Sequence, residues 1–235
     1  MAINKENNGY IFGFTIVLIA VVGTILASLS MGLKDRQAMN NVVKKKIDIL
    51  AAIQIESNRS DAESLYPEYI TSDLVINNKG EIVEGDAFSI DVRKQHRDKT
   101  LTEDMKMYPL YLAEKEGTQL YIIPVVGKGL WGPIWGYIAL DSDMRTIYGV
   151  SFDHQGETPG LGAEIKQSFF TNRYVGETVA NDNLDYNPIV VVKDGSGAAP
   201  LKVDGITGGT ITSKGVEEMV NRTMQIYMNY FKTLK

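Results

Sequence analysis

The chain has 235 residues, 44% of them hydrophobic, with a formal net charge of −5 and no cysteine. That suits one domain with an appendage, and it excludes disulfides, thiolate zinc sites and cysteine-ligated iron–sulfur clusters in this chain. No basic block is long enough to follow a phosphate backbone, so no nucleic-acid partner is expected; His96 and His154 lie far apart without metal-ligand spacing, so redox chemistry would need a bound organic cofactor or a partner.

From Asn7 to Leu33 there is no charged residue, and Ile11–Leu33 is almost continuously apolar or small. At about 1.5 Å per residue the run reaches roughly 35 Å, enough for a hydrocarbon core of about 30 Å. This predicts a transmembrane helix over 11–33 in the lipid bilayer, preceded by a short amino-terminal segment, 1–10, whose side of the membrane the run itself leaves open. The competing reading is a cleaved signal peptide, because Ala27-Ser28-Leu29-Ser30 ends in small residues. Against it, the run is longer than a signal core, and the leading region offers Lys5 offset by Glu6. Ala20, Gly23, Thr24, Ala27 and Ser28 recur at helical spacing, a smooth stripe on which a helix of a partner protein can pack. Lys34, Arg36 and Lys44–Lys46 follow the span and by the positive-inside rule favour a cytoplasmic domain, but that rule governs large translocated domains weakly.

Beyond the span, Leu33, Met39, Val43, Ile47, Leu50 and Ile53 predict a juxtamembrane helix and linker over 34–57. Residues 58–235 form the main domain. Within it, two β-prone runs flank Asn77-Asn78-Lys79-Gly80, a hairpin signal. The charged stretch 92–107 reads as a solvated loop or surface helix. Strands are expected at 118–126, 133–140 and 146–154, a helix at about 161–171, a strand at 187–193, and a closing helix from about Ser213. In that last helix Val216, Met219, Val220, Thr223, Ile226, Tyr227, Tyr230, Phe231 and Leu234 make one apolar face. The fold class is α+β: one transmembrane helix, then a mostly antiparallel sheet with packed helices.

Three glycine-rich stretches stand out. Gly127, Gly129 and Gly132 match a dinucleotide fingerprint by letter, but a strand rather than a helix is expected after Pro133, so no NADH site is supported. Trp131 and Trp135, set among these glycines, are either core residues at a hairpin or a surface for a flat aromatic ligand. Gln155–Glu164 is a tight loop whose backbone N–H groups suit ligand oxygens. Asp204–Gly215 places Thr207, Thr210, Thr212 and Ser213 before a helix, where free N–H groups and the helix dipole favour phosphate. The plainer alternative makes Ser213 a helix N-cap, with Glu217 and Glu218 in the first turn complementing the dipole.

The stretch "DGITGGTITSKGV" resembles the signature of flavoproteins that carry FMN through a phosphoester to threonine. "GKGLWGPIWGYIALD", "QGETPGLGAEI" and the amino-terminal span are similar, in the same order, to the NqrC family, the C-type subunits of the sodium-translocating NADH:quinone oxidoreductase. The resemblance covers nearly the whole chain. It implies FMN on Thr210, with Asp204, Gly205, Thr207 and Gly208 shaping the recognition site of a flavin transferase and Thr212 nearby. The usual alanine before the modified threonine is Gly209 here. Leu130, Trp131, Glu157, Thr158, Leu161 and Gly162 are the expected ring pocket, and Lys193 an expected charge near the ring or phosphate. No catalytic residue or metal is implied in this chain. The resemblance further implies a component that is not catalytically complete alone. It would relay single electrons among iron–sulfur and flavin-carrying partners from the periplasmic face of a bacterial inner membrane. Two alternatives are the G-type flavin component of an Rnf-type ferredoxin-linked complex and a non-redox membrane-tethered assembly or sensor module.

Overall fold

The structure, a computed structural model, describes residues 8–235; Lys5 and Glu6 lie outside the described residues. The chain divides into two compact units, up to Lys44 and from Lys45 onward. The first is the greater part of helix α1 (Asn8–Ala52). Every residue from Asn8 to Val42 is exposed, and the helix is long and apolar enough to cross a membrane. An exposed apolar run of this length is what a membrane-spanning helix presents. Two of its hydroxyls bond back to the helix: Thr15 donates to the Ile11 carbonyl (2.8 Å) and Thr24 to that of Ala20 (2.7 Å), an arrangement that suits a lipid surrounding.

The second unit opens with the last turns of α1, which stop at Ala52, short of the expected Ser57; the chain turns at Gln54, φ 59°. Helix α2 (Ala62–Tyr69) leads into β1 (Ile70–Ile76), which turns back through Asn77–Gly80 into the short β2 (Ile82–Val83), as the hairpin signal predicts. Asp91 caps α3 (Val92–Arg97), accepting from the N–H groups of Arg93 and Lys94. Then come β3 (Tyr108–Lys115), β4 (Thr118–Lys128), β5 (Pro133–Leu140) and β6 (Ile147–His154). Together they form one antiparallel sheet of order β2-β1-β3-β4-β5-β6. β3 is not anticipated by the sequence reading; Pro109 and a charged approach mask it, although Glu116-Gly117, both at positive φ, make a two-residue hairpin turn to β4.

The helix expected at 161–171 is broken into a 3₁₀ turn (Gly162–Lys166), the one-turn helix α4 (Ser168–Thr171) and a second 3₁₀ turn (Asn172–Tyr174). The strand expected at 187–193 shortens to β7 (Val190–Val192), which pairs in parallel with an unanticipated β8 (Lys202–Asp204). The chain closes with α5 (Thr210–Lys232).

Because side chains alternate along strands, β4 feeds two cores. Ile122 joins Ile49 and Leu50 of α1, Ile53 just beyond it, and Tyr111 and Tyr137 on one face. Tyr121 and Ile123 join Met219, Val220, Tyr227 and Phe231 of α5 on the other. The predicted apolar face of α5 is buried apart from half-buried Ile226 and exposed Leu234. Glycine sets the closeness of this layer. A Cβ on Gly127 would lie 2.7 Å from Met219 Cβ, and one on Gly215 would collide with the Lys128 carbonyl. The first half of α5 therefore lies directly on the end of β4, and this delivers its amino terminus to the β4–β5 hairpin.

Candidate functional site

Helix α5 begins at Thr210, not near Ser213, with Gly209 as its N-cap residue and no side-chain cap. Ser213 does other work: buried, it donates to the Gly209 carbonyl (2.9 Å) and accepts from the Ile206 N–H (3.0 Å), stitching the preceding turn onto the helix. Gly208 makes that turn at φ +74°, where a Cβ would also lie 2.6 Å from Leu161 Cδ2. The earlier start moves Glu217 and Glu218 out of the first turn, which has no acidic residue. Glu217 instead accepts from the Val191 N–H and from Lys214, and Glu218 pairs with Arg222. The N–H groups of Thr210, Ile211 and Thr212 find no acceptor among the described residues, so the positive end of a 23-residue helix keeps unpaired donors.

The loop before it is braced. Asp204 Oδ1 accepts from the Gly197 N–H (3.1 Å) and its carbonyl accepts from Arg173. Gly205 donates to the Val192 carbonyl (2.8 Å). A Cβ on Gly209, where the family signature has alanine, would lie 3.0 Å from Ile206 Cγ2 and 3.1 Å from the Leu161 carbonyl carbon. Thr207 and Gly208 are exposed at the tip.

The hydroxyls differ. Thr212, 1% exposed, donates to Glu157 Oε2 at 2.5 Å, and Ser213 is engaged as above. Thr210 is half-buried, and its hydroxyl makes no bond among the described residues. Glu157 is itself only 4% exposed. Its Oε1 accepts from the Trp131 N–H (2.8 Å), with the N–H groups of Leu130 and Gly132 also directed at the carboxylate. Burial pushes this carboxyl up, but the bonds from Thr212 and those three N–H groups outweigh it and hold the group below the usual glutamate range. Glycine makes room: a Cβ on Gly129 or on Gly162 would lie 2.5 Å from a Glu157 oxygen. The Glu157 N–H donates to His154 Nδ1 (3.1 Å), which puts the imidazole proton on Nε2. His154 is a site neighbour that the sequence reading left without a role; its position three residues before Glu157 was the available signal.

Around this clamp, Leu130 and Leu161 are exposed and Trp131 is 70% exposed at the tip of the β4–β5 hairpin, so it is not the core residue the hairpin alternative supposed. Trp135 is half-buried beneath Arg93, whose guanidinium carbon lies 4.5 Å from the ring centre. β5 does start at Pro133, as the rejection of a dinucleotide fingerprint required. Thr158 is exposed, and its carbonyl accepts from the N–H groups of Leu161 and Ala163 (both 3.1 Å), closing the loop that carries Leu161 and Gly162. The structure thus brings Thr210, Thr212, Glu157, Gly162, Leu161, Gly208, Leu130 and Trp131 into one contiguous group. Lys193 is exposed just past β7 and is not bonded to any of them.

A family model described as FMN-binding domain matches residues 129–225, from the hairpin glycine into α5. The class is therefore an FMN-binding domain fold joined to one long apolar helix. Among curated proteins, the C-type subunit of the Na(+)-translocating NADH-quinone reductase of Vibrio alginolyticus is 31% identical over 92% of this chain and 90% of its own length, and that of Vibrio anguillarum is 33% identical over the same shares. The solved structure of the corresponding protein from Parabacteroides distasonis superposes with a TM-score of 0.76 at 44% identity, covering 84% of this chain and 96% of that one. Shewanella oneidensis NqrC shares the fold at a TM-score of 0.66 and 22% identity, covering 81% and 96%. The chain belongs to the NqrC family, the C-type subunits of the Na(+)-translocating NADH-quinone reductase.

Proposed function

We propose that this chain is the electron-carrier component of a sodium-pumping NADH–quinone reductase and that it holds FMN through a phosphoester on Thr210. The observation that carries the attachment site is the contrast among hydroxyls on α5: those of Thr212 and Ser213 are buried and engaged, whereas that of Thr210 is free at the first helical position. The unpaired N–H groups of the first turn supply donors for phosphate oxygens, and the turn itself contains no acidic residue. Asp204, Gly205, Thr207 and Gly208 form the braced loop that a flavin transferase would recognise. Leu130, Trp131, Thr158 and Leu161 supply exposed surface for a flat ring, and Glu157 and Gly162 lie behind them. Lys193 is assigned to a charge near ring or phosphate through movement of its exposed side chain.

Bound FMN supplies one-electron transfer, which no side chain here provides. The protein's part is to hold, orient and tune it. A tether keeps the site from emptying by dissociation. In this reading residues 11–33 cross a bacterial inner membrane, with 1–10 on the cytoplasmic side, 34–57 linking, and the flavin domain on the periplasmic side. Its partners are the iron–sulfur and flavin-carrying components of the same complex.

The test is in-gel flavin fluorescence after denaturing electrophoresis, on exported protein co-produced with a flavin transferase. A fluorescent wild-type band that is absent from Thr210→Val supports the assignment. Fluorescence that survives Thr210→Val moves the attachment to another hydroxyl. No fluorescence in the wild type, with the transferase active on a control, defeats the reading.

A further inference from the structure

Glu157 departs from the usual pattern for a buried charge. Buried carboxylates are normally paired with a cation. Among the described residues no lysine, arginine or histidine forms an ion pair with Glu157; its donors are one hydroxyl and main-chain N–H groups. Those donors come from two separate elements. Oε1 holds the tip of the β4–β5 hairpin through the Trp131 N–H, and Oε2 holds the first turn of α5 through Thr212. The Glu157 backbone is tied in turn to His154 at the end of β6. Three elements distant in sequence therefore meet on one side chain, and Gly129 and Gly162 leave the space it occupies.

We propose that Glu157 is the positioning residue of this site: it fixes the exposed Trp131 hairpin against the turn that carries Thr210, and it sets an uncompensated negative charge next to that turn. The inference rests on the FMN reading above for its second half alone; the clamp exists without any cofactor. Two consequences follow. The hairpin is ordered before a ligand arrives, so binding does not have to order it. A fixed negative charge beside a group that gains electrons disfavours the reduced form, so the carboxylate holds the reduction potential of a flavin on Thr210 below the value it would otherwise have.

The test uses full-length protein with Trp135→Phe, which leaves Trp131 as the sole tryptophan. In flavin-free protein, time-resolved anisotropy of Trp131 is compared between wild type and Glu157→Ala. The amplitude lost to fast local motion is expected to rise about twofold or more in the variant, because the hairpin loses its acceptor. In flavin-loaded protein the isosteric Glu157→Gln, whose carbonyl keeps an acceptor for the Trp131 N–H and whose amide can donate to the Thr212 hydroxyl while the charge is removed, is expected to shift the midpoint potential to a more positive value. A purely structural role would not move the potential in this way. Unchanged Trp131 motion in folded Glu157→Ala overturns the proposal, as does an unmoved potential in Glu157→Gln. If Glu157→Ala does not fold, Thr212→Val carries the mobility arm with the same expectation and the same overturning result. A wild type that takes up no flavin defeats the FMN reading, and the flavin-free anisotropy then decides the clamp alone.

Discussion

On either side of the sheet a charged side chain, Glu157 or Lys45, is set among main-chain dipoles, with opposite results. On the α5 side Glu157 accepts from the Trp131 N–H and the Thr212 hydroxyl, and with the nearby Leu130 and Gly132 N–H groups these outweigh the cost of burial and hold it below the usual glutamate range. On the α1 side Lys45 reaches two acceptors, the carbonyls of Phe88 (2.6 Å) and Ile90 (3.2 Å), and lies over the Phe88 ring at 4.6 Å. There burial wins over the attraction of Asp91 and Asp86, and the amine is brought down to about 8. The difference teaches that nearby counter-charges do not by themselves offset burial: Lys45 has Asp91 and Asp86 beside it and still moves towards its neutral form, whereas Glu157 is held ionised by hydroxyl and main-chain donors.

The most damaging way to break the Glu157 side is Gly162→Ala. The added Cβ would lie 2.5 Å from both Glu157 Oε2 and Thr212 Oγ1, so their bond cannot survive unchanged. A loss of about 3 kcal/mol is expected, read as a fall in Tm of roughly 6–12 °C. Thr212→Val removes one donor and keeps the shape; about 2 kcal/mol is expected, with Thr212→Ser restoring most of it in the same melt.

Lys45→Met sharpens the other side through pH. In the folded chain the amine titrates near 8, below its ordinary 10.5. The unfolded chain therefore binds more protons between these values, and the penalty of burying the charge is full below pH 8 and relieved as pH rises towards 10.5. Wild-type stability minus that of Lys45→Met should thus climb across this window, by an amount comparable with the two changes above. Denaturant melts at pH 7.5 and 10 check it, and a flat difference would mean that the amine is not buried in solution. The smallest effect is expected of Arg93→Ala, which uncovers Trp135: about 0.5–1 kcal/mol, with a red shift in tryptophan emission as water reaches the ring.

Much of the framework was legible because it rests on periodicity. The apolar run of α1, the Asn77–Gly80 hairpin, β5, β6 and the buried face of α5 follow from local pattern. What escaped was set by tertiary contact. β8 is three residues long and is held by β7, so no window of sequence favours it. The start of α5 was hidden because Thr210, Ile211 and Thr212 are β-branched and Ser213 looks like a cap, whereas the neighbouring turn, not the helix end, uses the Ser213 hydroxyl. Motif resemblance brought Thr210, Leu161 and Trp131 to attention. The inward aim of Glu157 was beyond it, since a glutamate in a glycine-rich loop ordinarily faces water.

Helix α5 is also held at its far end. The turn residue Gly80, at φ +85°, sits so close to the Asn229–Tyr230 backbone that any Cβ would collide with it. With Gly215 against Lys128 at one end and Gly80 against Tyr230 at the other, the helix has a fixed phase as well as a fixed place. One residue inserted between these contacts would turn Thr210 by about 100° relative to the far contact. The orientation of Thr210 is thus specified by counting along α5 as much as by the motif around it, and length changes should be far less tolerated within this helix than in the 194–200 loop.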